Sequence, residues 1–406
     1  MNATLPTEKK PSSIWSRTFI TICIVSFFQI TGQQMATAVI PLYARDFGLS
    51  AGMIGFIVGA FAITALATRP FMAPAFDIVS KKKIWLASQA VIILSLFLYG
   101  FASDAASLTA VRMLHGLAMA AAGPMGLSLA TMALPSDRLA YGISFFGMGQ
   151  ALAMAIGPAF GLYLVGVVGY HWTFWLSSIA MAIALVLLLS IKDPSQAQQL
   201  PYRIKLNRIF AREAVLPTVL SFICITCNST YMAFIAIYGQ LLGVAQVGLF
   251  FTVQAACMVA TRPLLGKIAD RHGYAVVVVP GLCFFALSFY LVSVATTLQN
   301  FLIAAVVSSL GFGAISPLFN AMAMSSVPYS RSGAASATNF TGVDLGQLVG
   351  PSVFGLVAEY FEETSGSEVG GYSSMYAMEI IGVIGALVIF AASYRRILDN
   401  IQKANS

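Results

Sequence analysis

Apolar residues along this chain run in blocks of about 20, and polar residues gather in the short stretches between the blocks. Residues 214–261 and 273–330 contain no Asp, Glu, Lys or Arg. Each of these runs is long enough for two membrane-spanning helices separated by a short polar turn. Read this way, the chain predicts an all-α membrane protein of twelve spans. The weakly alternating segments of a membrane β-barrel are not seen. The expected division is an N-terminal segment 1–17, a first six-helix bundle 18–191, a linker 192–212, a second six-helix bundle 213–394 and a tail 395–406.

Composition agrees with this pattern. Of 406 residues, 58% are hydrophobic and 9% charged, too few charges to cover a water-soluble surface of this size. The net charge of +7 would admit nucleic acid as a partner, but the basic residues follow topology instead. With the N-terminus in the cytoplasm, all of the 22 Lys and Arg except Arg45 and Arg112 fall on or at the cytoplasmic side, so both termini are expected there. A plasma-membrane location and no nucleic-acid partner are expected. The first apolar run is expected to remain as a span, not to be cleaved as a leader. The five cysteines lie in apolar segments, and Cys224-x-x-Cys227 without a second ligand pair reads as apolar filling, so neither metal nor cofactor is expected.

The halves repeat. Ala67-Thr68-Arg69-Pro70 is followed by Asp77, and Ala260-Thr261-Arg262-Pro263 by Asp270, a shift of 193 residues (260 − 67). The same shift carries Arg138 onto Arg331 and Gly157-Pro158 onto Gly350-Pro351. One gap-free offset across such landmarks indicates a duplicated unit related by a parallel repeat.

Polar residues inside spans are costly, and they mark candidate chemistry. Gln29 and Gln33 share a face of the first span, where they would serve equally as substrate contacts or as interhelical hydrogen-bonding groups. Arg112, His115 and Gly116 share a face of span four; Arg112 needs a partner, water, or a place near enough the helix end to snorkel. Asp344 shares a face of span eleven with Gln347, and Glu379 lies one-third of the way into span twelve. These two acids are the ones well inside spans, which makes Asp344 the first candidate for carrying a proton and Glu379 the second. Arg112 is a candidate counter-charge for Asp344. Tyr231, Asn320 and Gln347 join Gln29 and Gln33 as candidate substrate contacts.

Gly266-Lys267-Ile268-Ala269-Asp270-Arg271-His272-Gly273 resembles the loop signature G-x-x-x-D-R-x-G of the major facilitator superfamily. In the first-half copy Ala73 replaces Gly266 and Ile78 replaces Arg271. Arg112 to Gly116 is similar to the R-x-x-x-G motif of the twelve-helix drug:proton antiporter-like efflux group. Ala153 to Leu162, with Gly157, Pro158 and Gly161, is similar to that group's span-five motif, with Ala153 and Leu162 in place of glycines. The resemblance implies two bundles around a central cavity and export of an organic or amphipathic small molecule against protons, by a monomer. It also implies gates at the cytoplasmic ends, with Asp77 and Arg138 in one and Asp270, Arg271 and Arg331 in its symmetric counterpart. Import by proton symport, or a non-transporting membrane sensor, are the other readings. No Ser-His-Asp or metal-ligand constellation suggests an enzyme.

Overall fold

The computed structural model describes residues 13–135, 138–193, 210–328 and 331–405. The first bundle contains α1 (Arg17–Asp46), α2 (Ala51–Gly59), α3 (Phe61–Ile78), α4 (Lys81–Tyr99), α5 (Ala105–Ala133) and α6 (Leu139–Ser190). After a short 3-10 turn at Arg212–Ala214 come α7 (Val215–Leu241), α8 (Leu249–His272), α9 (Ala275–Ser293), α10 (Leu298–Ser325), α11 (Ser332–Ser365) and α12 (Glu368–Asn405).

These helices start and stop for local reasons. Hydroxyls of Ser16, Ser50 and Ser80 accept from the amides of Phe19, Met53 and Lys83, and Asp104/Ser107 and Thr297/Asn300 form reciprocal caps. Gly273 and Gly366 end α8 and α11 at φ 86° and 68°, a region that only glycine enters cheaply. Inside the spans, Ser and Thr hydroxyls donate to carbonyls of the preceding turn, as Ser88 does to Ile84 and Thr218 to Ala214, so they enter apolar surroundings without an orphaned donor.

Among the described residues, eleven helices are long and apolar enough to cross a membrane. One of these segments, Ala51–Met72, runs across the break at Ala60 between α2 and α3. Another, Tyr141–Ser190, has 50 residues. At 1.5 Å per residue it is about 75 Å long, against a hydrocarbon core of about 30 Å. Its bend at Gly169 (φ 80°) divides it into two crossings, which gives twelve. The Ala-Thr-Arg-Pro stretches lie inside α3 and α8, which stay helical to Ile78 and His272. Most of the expected linker, residues 194–209, lies outside the described residues.

Each half closes on its own core, Trp85, Tyr99, Phe146 and Phe174 in the first and Tyr231, Phe234, Phe250, Phe285 and Phe289 in the second, all nearly or fully buried. With an even number of crossings both termini emerge at one end of the molecule. The bundles meet chiefly through α2 against α11 and α6 against α8, toward the end remote from the termini.

Candidate functional site

The far end is latched. Arg45 at the end of α1 pairs with Glu368 at the start of α12 (3.0 Å), and Gly52 N–H donates to Glu359 (3.3 Å). Gly52, Gly55 and Gly59 form one face of α2, and α11 approaches so closely that a Cβ on Gly55 would run into the carbonyl of Pro351. Small residues are required for such backbone contact. The α6–α8 seam is similar: Thr252 donates to Ala155 O at 2.8 Å, and Gly248 lies against Ala159 and Leu162. Gly157 and Gly161, by contrast, serve the first bundle's interior, since their missing side chains admit α1 at Gln34 and Met35. Pro158 is buried between them. A far-end cavity of about 420 Å³ between α6, α7 and α8, lined by Leu42, Ala159, Tyr163, Ala236 and Gln240 among others, carries no charged side chain.

Toward the termini the seams part, leaving a cleft. A Cβ on Gly147 of α6 or Gly266 of α8 would meet nothing within 4 Å. At the closed edge of this cleft lies the one ion pair between the facing helices α3 and α11 among the described residues. Asp344 accepts from both Nε and Nη2 of Arg69, the latter at 3.0 Å, and the guanidinium also lies 4.8 Å from the centroid of the Phe340 ring. The carboxylate side chain is 4% exposed and the arginine 22%. A bidentate, charge-assisted pair in this setting is strong and directional. It joins one bundle to the other.

The expected partner for Asp344 was Arg112, and this is corrected. Arg112 is buried within the first bundle, donates through Nε and Nη2 to Val58 O (3.1 and 3.0 Å) and stacks 4.6 Å from the Phe61 centroid. The break at Ala60 interrupts the helix just beyond Val58, and Arg112 caps the carbonyl that the break leaves without a regular partner. Gly116 lets the Phe61 carbonyl approach beside it. His115 is equally interior: its Nδ1 meets Tyr99 OH at 3.2 Å and its Nε2 has no partner.

Three of the five candidate substrate contacts are also interior. Gln29 Oε1 accepts from Trp85 Nε1 (2.7 Å) and Gln89 Nε2 (3.2 Å), Gln33 points at Met119 Sδ (3.0 Å), and Tyr231 is packed on Phe289 with its hydroxyl 2.9 Å from Ser288. Asn320 is exposed and accepts from Asn339 (3.2 Å), and Gln347 is partly exposed. Gln29→Leu should therefore act on the fold, stranding two buried donors at about 1–3 kcal/mol each. A lowered melting temperature with an unchanged half-saturating substrate concentration would bear this out; a changed concentration at normal stability would return Gln29 to the substrate path.

Glu379 is fully buried in the second bundle and neither carboxyl oxygen has a partner; the nearby Thr230 hydroxyl donates to Cys227 O instead. A charge there would be uncompensated, and neither end of the cleft reaches it in this conformation. At the gates, the side chain of Asp77 lies outside the described residues. Arg138 precedes α6 and is partly exposed, while Asp270 and Arg271 are exposed in the last turn of α8. Arg331, expected to act with Asp270 and Arg271, pairs instead with Glu213 of the 3-10 turn at 2.8 Å. The residues missed from sequence were Arg69, visible only as part of the repeated motif, and the Arg45–Glu368 latch.

Two bundles of six crossings each, with a cleft between them, are the architecture of a membrane transporter. The family model described as Major Facilitator Superfamily matches residues 22–245 and again residues 218–404, and the chain belongs to that family. An MFS-type transporter of Methanocaldococcus jannaschii is 23% identical over 402 residues, covering 96% of this chain and 98% of its own length. The staphylopine export protein of Staphylococcus aureus is 23% identical over 63% of this chain and 66% of its own. A multi-drug resistance efflux pump PmrA homolog of Lactococcus lactis is 22% identical over 85% and 89%. Among solved structures, a variant of the nucleoside transporter NupG superimposes with a TM-score of 0.78 at 13% identity, over 93% of this chain and 99% of that one. At that identity the likeness concerns the fold alone.

Proposed function

We propose that this chain is a proton-coupled exporter of an organic small molecule, resident as a monomer in the plasma membrane with both termini cytoplasmic. The observation that carries the coupling is the Arg69–Asp344 pair between α3 and α11. The conformation described, closed at the far end and parted toward the termini, is on this reading the inward-facing state. Here both oxygens of Asp344 accept N–H groups of Arg69, and a proton brought in on Asp344 is given up to the cytoplasmic side as this pair forms. Protonation of Asp344 in the opposite state leaves Arg69 without its counter-charge and releases α3 from α11. Alternating exposure then binds a proton outside and discharges it inside.

The direction of substrate flow rests on two supports, the span-five motif and the two relatives named as an export protein and an efflux pump. Everted vesicles test it. With the lumen acid-loaded, adding a transported compound to the bath should alkalinise the lumen, since protons leave as substrate enters. Acidification would instead indicate symport and reverse the assignment.

A further inference from the structure

Shifted by 193 residues, the contacts between the bundles recur in pairs. Gly59 on α2 sits where a Cβ would stand 2.8 Å from Leu348 O; its repeat mate Thr252 on α8 donates to the carbonyl of Ala155, and Ala155 is the mate of Leu348. Gly55 abuts Ser352 as well as Pro351, and its mate Gly248 abuts Ala159, the mate of Ser352. Deeper along the same seams, Arg69 faces Asp344 and Phe340. The mates of these three residues are Arg262, Ala151 and Gly147.

The second seam thus has the arginine without either partner. Ala151 stands in place of the counter-ion. Gly147 stands in place of the covering ring, and a Cβ there would meet only open space within 4 Å. Arg262 is exposed and makes no hydrogen bond or ion pair among the described residues. It lies ten residues before His272 (272 − 262), about 15 Å along α8 from its end, inside the apolar segment Leu249–His272. An uncompensated cation at such depth is costly, and in membrane proteins it marks a ligand path.

We propose that Arg262 recognises the transported molecule by an anionic group, a carboxylate by preference, which takes the place opposite Arg262 that Asp344 takes opposite Arg69. The forked guanidinium suits a carboxylate, and the space left by Ala151 and Gly147 provides room for it. Substrate anion and Asp344 then have equivalent effects on the two seams. The one draws α8 toward α6 as the other draws α3 toward α11. This identification of the substrate class rests on the transport reading above.

Two measurements on the purified full chain test it. The first needs no ligand. Ala151→Asp restores the missing acid, so it should raise the melting temperature relative to Ala151→Asn, and this difference should vanish in an Arg262→Gln background. An Ala151→Asp variant no more stable than Ala151→Asn, or a difference that survives Arg262→Gln, would show that Arg262 does not face this place and would overturn the proposal. The second uses matched probes, benzoate against benzamide and indole-3-acetate against indole-3-acetamide, read as thermal stabilisation. Carboxylates should bind at least about tenfold more tightly than their amides, and Arg262→Gln should remove the preference, as expected for loss of a charge-assisted bond. Equal responses to acid and amide in the wild type, including no response to either, or a preference retained in Arg262→Gln, would also overturn it. Failure of the transport reading looks different: the carboxylate preference would be present in detergent while vesicles accumulate none of the probes.

Discussion

Asp344→Asn is expected to abolish pH-driven flux while substrate still binds, and binding should no longer release protons to the medium. The amide keeps the shape of the carboxyl and one acceptor for Arg69, but it can neither carry a proton nor hold a counter-charge. Arg69→Gln should fail differently. It leaves the Asp344 carboxylate, 4% exposed, without its cation, and breaking a buried pair from one side costs on the order of 3 kcal/mol in the paired conformation. The double variant should be less perturbed than the sum of the singles, because two neutral groups leave no unpaired charge. Normal coupling in Asp344→Asn, together with its loss in Glu379→Gln, would move the proton site to α12.

Gly55→Val should have the second large effect, on the conformational cycle and not on the proton. Its Cβ would collide with the Pro351 carbonyl, a backbone atom that moves only if α11 moves. Overpacking of this kind costs about 1–3 kcal/mol. Because the cost falls only on the state in which α2 and α11 touch, it should shift the ratio of the two states by roughly 5- to 150-fold toward the one open at the far end. Far-end cysteines should become labelled faster, and transport should fall although both bundle interiors are intact. Unchanged labelling would mean that the α2–α11 seam does not open during transport. Gly385→Ala on α12 is the control, since a Cβ there meets nothing within 4 Å.

The fold was legible because spans, caps and the 193-residue repeat are written in composition and spacing. The site was legible only in part. Asp344 was found because a carboxylate deep in an apolar helix is expensive wherever the helix packs. Its partner was misassigned because Arg112 reads as lying inside a span and Arg69 as lying at a cytoplasmic end, and spacing does not show that the break after Gly59 leaves the Val58 carbonyl to Arg112. Gln29, Gln33 and Tyr231 show a similar ambiguity. A polar face on a span predicts that the face avoids lipid, but a bundle interior satisfies it as well as a watery cleft does. Arg69 and Arg262 read as charges on or at the cytoplasmic side, whereas α3 and α8 continue as helix for nine and ten further residues beyond them (78 − 69, 272 − 262).

The central claim is that the Arg69–Asp344 pair makes the position of the bundles depend on protonation. Spin labels at Tyr141→Cys and Leu264→Cys, both exposed sites on the terminus-side stretches of α6 and α8, report the width of the cleft once the five native cysteines are replaced. Their distance distribution, followed from pH 5 to pH 9, should shift in the wild type and be independent of pH in Asp344→Asn and in Arg69→Gln. A shift in Asp344→Asn equal to that of the wild type would contradict the account.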